Sequence, residues 1–171
     1  MNRVDFAALC DHKGIKRAVE IGTDRGTFAR EFLERWHGEL LVCVDPYTPY
    51  NEVPFDRAGD LALAAAVLAP FSDRVRIVRA TSIEAASWFP YPPLGFVYID
   101  GNHELKAVSE DIAAWWPLIV PGGILAGHDY GCDEHPGVTA AVDLFAATHG
   151  LALNLTSDFN APRSWWMEKP Q

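Results

Sequence analysis

Five short apolar runs alternate with segments of helical periodicity, and this alternation constrains the fold more than any other feature of the chain. Each run is rich in β-branched residues and is bounded by Gly, Pro or Asp, which favours a buried strand over a helix segment. The runs cover residues 18–21, 40–44, 75–78, 96–99 and 123–126. Because strands that alternate with helices pair in parallel, we predict an α/β fold with a doubly wound sheet and helices on both faces.

The last two apolar segments break the alternation. Residues 151–155 and 164–167 are separated only by a short polar loop, and a parallel pair would need a longer crossover. They are therefore predicted to pair as antiparallel strands, which completes a seven-stranded, mostly parallel sheet with an antiparallel C-terminal hairpin. Trp165 and Trp166 are adjacent on the last strand, so we expect one in the core and the other at a partner interface.

Helical periodicity is clearest before this hairpin. Apolar residues recur there at i, i+3, i+4 and i+7, namely Val138, Ala141, Val142 and Phe145. Gly150 follows them and is placed to end the helix. In an earlier segment, a similar spacing predicts one helix face formed by Leu61, Ala65 and Leu68.

Size and charge exclude several classes of protein. The 171 residues suffice for one packed domain, and we expect a single domain over residues 1–171. The net charge of −9 repels phosphate backbones, so we expect no nucleic-acid partner. No apolar run approaches the roughly 20 residues of a membrane helix, and the first residues do not resemble a signal peptide. We therefore expect a cytoplasmic protein without membrane contact.

The glycine turn after the first run is the first candidate ligand site, since ligands of open α/β sheets bind at the carboxyl ends of the strands. In the sequence VEIGTDRGTF, Gly22 and Gly26 allow a tight strand-to-helix turn. Asp24 stands where a dinucleotide fingerprint has its middle glycine, and Glu20 would repel a pyrophosphate. The turn therefore favours a cationic ligand over a nicotinamide dinucleotide.

The second and third runs also end in polar residues. Asp45 lies about 20 residues beyond the glycine turn, which suits it to accept hydrogen bonds from both ribose hydroxyls of a nucleoside. A turn aspartate before a proline is the structural alternative. Thr81 and Ser82 offer hydroxyls that could reach an adenine edge or cap the next helix, and Glu84 favours capping for Thr81.

The fourth and fifth runs end in a cluster of acids and imidazoles that should converge from neighbouring strands. The cluster consists of Asp100, His103, His128 and Asp129. Such a set suits a hard divalent ion such as Mg²⁺, or a general base near neutral pH. Cys132 and His135 extend it toward a zinc-like pattern, which is the less favoured alternative because no CxxC pair supports it.

Together these motifs resemble class I S-adenosylmethionine-dependent methyltransferases. The glycine turn and Asp45 resemble the first two motifs of the family. The sequences YIDGNH, WWP, PGG and GHDY resemble a small-molecule branch associated with sugar and natural-product pathways. The resemblance spans residues 16–168. It implies a Rossmann-like methyltransferase fold, S-adenosylmethionine as the cofactor and a small-molecule acceptor.

The resemblance also implies roles for individual residues. Glu20 and Gly22 would flank the methionine part of the cofactor, and Asp45 would bind the ribose. The implied cofactor-binding set is Glu20, Gly22, Thr23, Gly26, Asp45, Thr81, Ser82 and Asp100. The implied catalytic residues are Asp100, His103 and His128.

Metal-dependent relatives hold Mg²⁺ with aspartates at the ends of the fourth and fifth strands, which correspond here to Asp100 and Asp129. Relatives often carry a second acid where this chain has His128 or Asn102. A metal-free mechanism with His103 as the base is therefore the alternative to Mg²⁺.

The predicted function is S-adenosylmethionine-dependent O-methylation of a small-molecule hydroxyl. An NAD(P)-dependent oxidoreductase is the alternative of the same fold, and Glu20 counts against it. A catalytically silent cofactor-binding protein is a third reading, and the acids and imidazoles at the strand ends count against that. Residues 46–60 and 129–137 are candidate lids, with Tyr47, Tyr50 and Phe55 as candidates to stack on the acceptor. A homodimer is left open.

Overall fold

The computed structural model describes residues 1–50, 52–55, 57–90, 93–157 and 162–171. Its strands are β1 (Arg17–Ile21), β2 (Leu40–Val44), β3 (Val75–Val78), β4 (Leu94–Ile99), β5 (Ile119–Tyr130), β6 (Asn154–Leu155) and β7 (Arg163–Glu168). They form one sheet in the order β3-β2-β1-β4-β5-β7-β6. The first five pair in parallel, and β7 pairs antiparallel with both β5 and β6. The predicted seven-stranded sheet with its C-terminal hairpin is confirmed.

Helices cover both faces of the sheet. They are α1 (Phe6–His12), α2 (Thr27–Leu33), α3 (Ala58–Leu68), α4 (Ser82–Ser87), α5 (Leu105–Trp115) and α6 (Pro136–His149), with 3-10 turns at Arg3–Asp5, Ala69–Phe71 and Trp116–Leu118. One core cluster holds side chains of α1, α2 and α3, and the other holds side chains of α4, α5 and α6. None of the helices in the described ranges has the length and apolar character to cross a membrane.

The predicted helix faces are only partly correct. In α6, Val138, Ala141 and Val142 are buried, and Gly150 ends the helix in the left-handed conformation. In α3, Leu68 is buried and Leu61 half-buried as predicted, but Ala65 is exposed and Ala64 is buried in its place. A run of alanines carries little periodicity, and the ion pairs of Asp60 on the same face help to orient this helix.

The C-terminal strand carries the two adjacent tryptophans to opposite faces of the sheet. Trp165 is fully buried against α5 and α6, as expected for one of the pair. Trp166 packs half-buried against the core cluster of the other face. β5 begins earlier than the predicted run, at Ile119, which pairs with Leu94 of β4 ahead of a register shift.

The order of the strands locates the ligand site. From β1 the chain adds β2 and β3 on one side of the sheet, and β4 and β5 on the other. The connections therefore leave a crevice between the carboxyl ends of β1 and β4, which is where ligands bind in such sheets.

Candidate active site

A cleft of about 750 Å³ opens at this switch point, a size typical of small-molecule sites. The predicted site residues on its wall are Gly22, Asp45, Thr81, Ser82, Asp100, His103 and Asp129. The other predicted site residues lie outside the wall, namely Glu20, Thr23, Gly26 and His128. The cleft therefore opens at the strand ends that the sequence predicted, although not every predicted residue lines it.

The backbone is unusual where the strands enter the cleft. Gly22 has a φ of +86°, and a Cβ there would overlap the backbone carbonyl of Asp100. Among the described residues, the only non-glycine positions with positive φ are Asp24, Tyr47 and Asp129, at 49°, 50° and 59°. All three lie at or just beyond the ends of β1, β2 and β5. Such local strain concentrates at functional sites, where the surrounding fold compensates for it.

Glu20 lies beneath the glycine turn and is 1% exposed. Burial raises its pKa to about 7, the nearby Thr23 hydroxyl and Arg3 act in the opposite direction, and the negative charge of Asp100 adds to the shift. Neither Glu20 Oε2 nor the Thr23 hydroxyl makes a hydrogen bond of good geometry among the described residues. Because unpaired buried polar atoms are costly, a donor from a ligand or a water molecule would be stabilising here.

Asp45, at the end of β2, is 2% exposed and has donors on both oxygens. Oδ1 accepts from the backbone N–H of Tyr47 at 2.8 Å and from Arg57 Nη1 at 3.0 Å. Oδ2 accepts from the backbone N–H of Asp24 at 3.0 Å and from Arg57 Nη2 at 3.3 Å. A carboxylate offers about four lone-pair sites, so these contacts fill the acceptor capacity of Asp45.

Arg57 is a site residue that sequence reasoning missed. Its side chain is 6% exposed, lines the cleft, and also pairs with Asp24 at 2.8 Å and Asp60 at 3.3 Å. Burial opposes its charge, but Asp45 and Asp24 raise the pKa of Arg57 above its ordinary value. Tyr47, which we expected to stack on the acceptor, is instead buried with its ring beside this guanidinium.

The end of the cleft that is predicted to bind adenine contains a further buried acid, Asp111, which the sequence did not indicate. Thr81 caps α4 through the predicted capping box with Glu84. Ser82 Oγ accepts a hydrogen bond from Trp115 Nε1 at 2.9 Å. Asp111 lies next to Ser82, and burial raises its pKa to about 7. Both hydroxyls and this carboxyl group line the cleft.

The predicted acid–imidazole cluster does assemble. His103 Nε2 lies 3.0 Å from Asp129 Oδ2, and its Nδ1 lies 2.9 Å from Glu52 Oε2. Burial lowers the pKa of His103, but the bonds and charges of Asp129 and Glu52 outweigh burial and raise it to about 8. Both ring nitrogens are therefore engaged with carboxylates, so His103 offers no free acceptor while Glu52 stays in place.

Asp129 and Asp100 also contact other cationic or imidazole groups. His128 Nδ1 lies 3.2 Å from Asp129 Oδ1 and 4.0 Å from Asp100 Oδ1. The two imidazoles hold the pKa of Asp129 well below its usual range despite its burial. Arg3 Nη2 donates to Asp100 Oδ2 at 2.8 Å. Burial raises the pKa of Asp100, while Arg3 acts in the opposite direction.

Three sets of metal-type ligands occur in this corner among the described residues, and one of them is Glu52, His103 and His135. Ligand atoms of Asp100, His128 and Asp129 lie within 4.8 Å of one another. The same spacing relates Asp129 to Cys132 and His135, which form part of the zinc-like pattern. The rings of His103 and His135 are stacked with centroids 3.9 Å apart.

Comparison with known proteins assigns the family. A family model described as a methyltransferase domain matches residues 19–130, more than half of the chain. This chain belongs to that methyltransferase family. The matched segment runs from β1 to the end of β5, so it contains the glycine turn, Asp45, Asp100 and Asp129.

Solved structures share the fold of this methyltransferase at low sequence identity. An O-methyltransferase from Bacillus cereus in complex with SAH has a TM-score of 0.76 at 15% identity, covering 98% of this chain and 80% of that chain. Cofactor-bound Rv0187 from MTB gives 0.77 at 14%, covering 99% and 80%. The O-methyltransferase NovP gives 0.72 at 18%, covering 99% and 78%. These similarities confirm the predicted methyltransferase fold.

Proposed function

We propose that this methyltransferase uses S-adenosylmethionine and transfers the methyl group to a hydroxyl oxygen of a small molecule. The family match over residues 19–130 carries the proposal, because it spans the strand ends that build the cleft. O-methyltransferases among the proteins of similar fold support the choice of oxygen as the methylated atom.

The cleft suits a cationic nucleoside. Acids outnumber arginines on its wall, so the cleft keeps a negative field that attracts a sulfonium and an ammonium group, although Asp45 and Asp100 are each paired with an arginine. Glu20, which lies outside the wall, has an oxygen without a well-formed hydrogen bond among the described residues, so a donor from a ligand would stabilise it. Gly22 keeps the turn against β4 free of side-chain atoms. A ribose can bond to Asp45 only by sharing or replacing its present donors, of which the Arg57 guanidinium is the one on a side chain.

When bound, the cofactor supplies a methyl group that is already activated on a sulfonium. The chain then has to align the acceptor oxygen with that group and remove its proton. We assign proton removal to His103, held by Asp129 on Nε2. In this proposal the acceptor hydroxyl takes the place of Glu52 on Nδ1, because only then does the ring have an acceptor facing the cleft.

The residues expected to hold Mg²⁺ fit a metal ion poorly as they are arranged. Mg²⁺ needs carboxylate oxygens in near-octahedral geometry. Asp100 Oδ2 is bonded to Arg3, and both oxygens of Asp129 face imidazoles. We therefore derive no step through a metal ion.

The first experiment is a pair of calorimetric titrations, one with S-adenosylhomocysteine and one with NAD⁺. We expect saturable binding of S-adenosylhomocysteine only. Asp45→Asn should weaken it about tenfold or more, since a charged acceptor is lost. Asp73→Asn, at an exposed loop acid, is the matched control and should bind as wild type. Binding of NAD⁺ instead would support the oxidoreductase alternative and overturn the proposal.

A second experiment separates an enzyme from a silent binding protein. Transfer of a labelled methyl group from S-adenosylmethionine to a panel of sugars and phenols is measured for wild type and His103→Gln. The proposal predicts labelled product for wild type and its loss in the variant, with S-adenosylhomocysteine affinity retained. If the acceptor that wild type methylates is methylated equally well by the variant, His103 is not the base.

A further inference from the structure

The carboxylate oxygens at the ends of β4 and β5 are already paired with groups of the chain itself. Arg3 Nη2 lies 2.8 Å from Asp100 Oδ2, and His103 Nε2 lies 3.0 Å from Asp129 Oδ2. His128 Nδ1 stands between the two acids, 3.2 Å from Asp129 Oδ1 and 4.0 Å from Asp100 Oδ1. These oxygens are the ligands that a hard divalent ion would need.

Arg3 is held firmly in this position. Its guanidinium carbon lies 4.7 Å from the ring centroid of Phe28 and 5.4 Å from that of Tyr98, and both rings are buried. A guanidinium over aromatic faces is attracted by the electron-rich ring faces. Arg3 therefore reaches the carboxyl end of β4 as a packed part of the site, although 97 residues separate it from Asp100.

We propose that Arg3 takes the place of a divalent metal ion in this methyltransferase. Its guanidinium neutralises Asp100 from within the chain. The cluster of Asp100, His103, His128 and Asp129 therefore needs no Mg²⁺. The consequence for the acceptor rests on the proposed function. A metal ion favours acceptors that present two neighbouring oxygens for it to clamp. Without one, a single hydroxyl suffices, and the acceptor class extends beyond vicinal diols.

Arginine is well suited to this role. Its guanidinium stays protonated at any physiological pH, so it compensates Asp100 permanently. Without Arg3, the carboxylate of Asp100 would share the corner with two further buried acids, Asp129 and Glu20. Only the imidazoles of His103 and His128 would then remain opposite these acids. An acid cluster that has lost its permanently charged partner attracts an external cation, so the removal of Arg3 should create the metal site that the native chain lacks.

The test uses Mn²⁺ as a probe in calorimetric titrations and needs no acceptor. Wild type and the control Arg35→Gln, at an exposed arginine of the same protein, should show no saturable site that depends on Asp100. Arg3→Gln should bind Mn²⁺ at least about tenfold more tightly than wild type. The double variant Arg3→Gln/Asp100→Asn should lose that gain, and Arg3→Lys, which keeps the charge, should show no gain.

Two results would overturn the proposal. One is a Mn²⁺ site in wild type that Asp100→Asn abolishes, a measurement that does not depend on how well any Arg3 variant folds. The other is the absence of any gain in a folded Arg3→Gln, with folding checked by circular dichroism.

Turnover can be measured in the same variants once an acceptor is found. Wild-type turnover should change less than about twofold between EDTA and Mg²⁺, and Mg²⁺ should partly restore the turnover that Arg3→Gln loses. Strict dependence of wild type on both Mg²⁺ and a vicinal diol would overturn the inference. If S-adenosylhomocysteine does not bind at all, the proposed function fails, while the Mn²⁺ titrations still decide the role of Arg3.

Discussion

Glu20 and Asp45 are buried acids on neighbouring strand ends, yet their surroundings differ sharply. They are 1% and 2% exposed, respectively. Asp45 accepts two backbone N–H groups and two nitrogens of Arg57. Glu20 has an oxygen with no partner among the described residues, and burial raises its pKa to about 7.

The difference shows that burial alone does not decide what a carboxyl group does in a cleft. Asp45 is held in one orientation by partners that the chain provides, so it belongs to the prebuilt framework of the site. Glu20 lacks such partners and is balanced between its charged and neutral forms near pH 7. A cationic ligand with N–H donors would therefore change the state of Glu20 far more than that of Asp45.

The largest expected effect comes from removing Arg57, the side chain that pairs with Asp45. Arg57→Gln removes the guanidinium that pairs with Asp45 and leaves a buried carboxylate with backbone donors only. We expect the free energy of unfolding to fall by about 3 kcal/mol, the lower end of the range for a broken buried pair, because this pair borders the cleft. Urea denaturation measures the loss.

Arg35→Gln is the control for this prediction, since Arg35 is exposed and contacts only the exposed Glu34 and a helix carbonyl, that of Glu31, among the described residues. It should shift stability by less than about 0.5 kcal/mol. If Arg57→Gln is as stable as this control, the ion pair does not hold Asp45, and the contrast with Glu20 disappears.

The second effect concerns Glu20 and the pH dependence of stability. Its sign is opposite to that of Arg57→Gln, because replacing Glu20 is expected to stabilise the fold at high pH. The pKa of Glu20 rises from 4.5 in the unfolded chain to about 7 in the fold. Between these values the folded state keeps a proton that the unfolded state loses, so stability falls as pH rises through this window. Above pH 7 the full cost is present, on the order of 3 kcal/mol. Glu20→Gln should therefore match wild type near pH 4.5 and exceed it at pH 8.

Several groups besides Glu20 titrate or carry charge near this site. Arg3, Cys43 and Asp100 face Glu20 from neighbouring segments, and Asp111 has its own pKa near 7. The quantity to measure is therefore the difference between wild type and Glu20→Gln in urea titrations from pH 4.5 to 8. Glu39→Gln, at an exposed glutamate, should give a flat difference. A flat difference for Glu20→Gln as well would mean that Glu20 has a partner that keeps it charged.

The fold and about half of the site were predictable from the sequence, because both depend on local patterns. Apolar runs bounded by turn residues identify strands, and a polar residue directly after a strand must lie at the carboxyl edge of the sheet. Asp45, Asp100, His103 and Asp129 were found in this way. Arg3, Arg57 and Asp111 were not, because their roles depend on contacts with distant segments. Arg3, for example, meets a residue 97 positions away.

The smallest effect tests whether the unpaired atoms near Glu20 await a ligand. Thr23→Val replaces a buried hydroxyl that lies beside Glu20 and Cys43 but makes no hydrogen bond of good geometry there, and the new methyl group has a similar shape, so we expect the free energy of unfolding to change by less than about 0.5 kcal/mol. Thr139→Val is the contrast, because Thr139 Oγ1 accepts from Gly131 N–H at 2.9 Å, and its loss should cost about 1 kcal/mol. If Thr23 helps to bind the cofactor, Thr23→Val should weaken S-adenosylhomocysteine binding in calorimetry although stability is unchanged. A loss of stability as large as that of Thr139→Val would instead mean that the Thr23 hydroxyl is already satisfied within the fold by its neighbours Glu20 and Cys43.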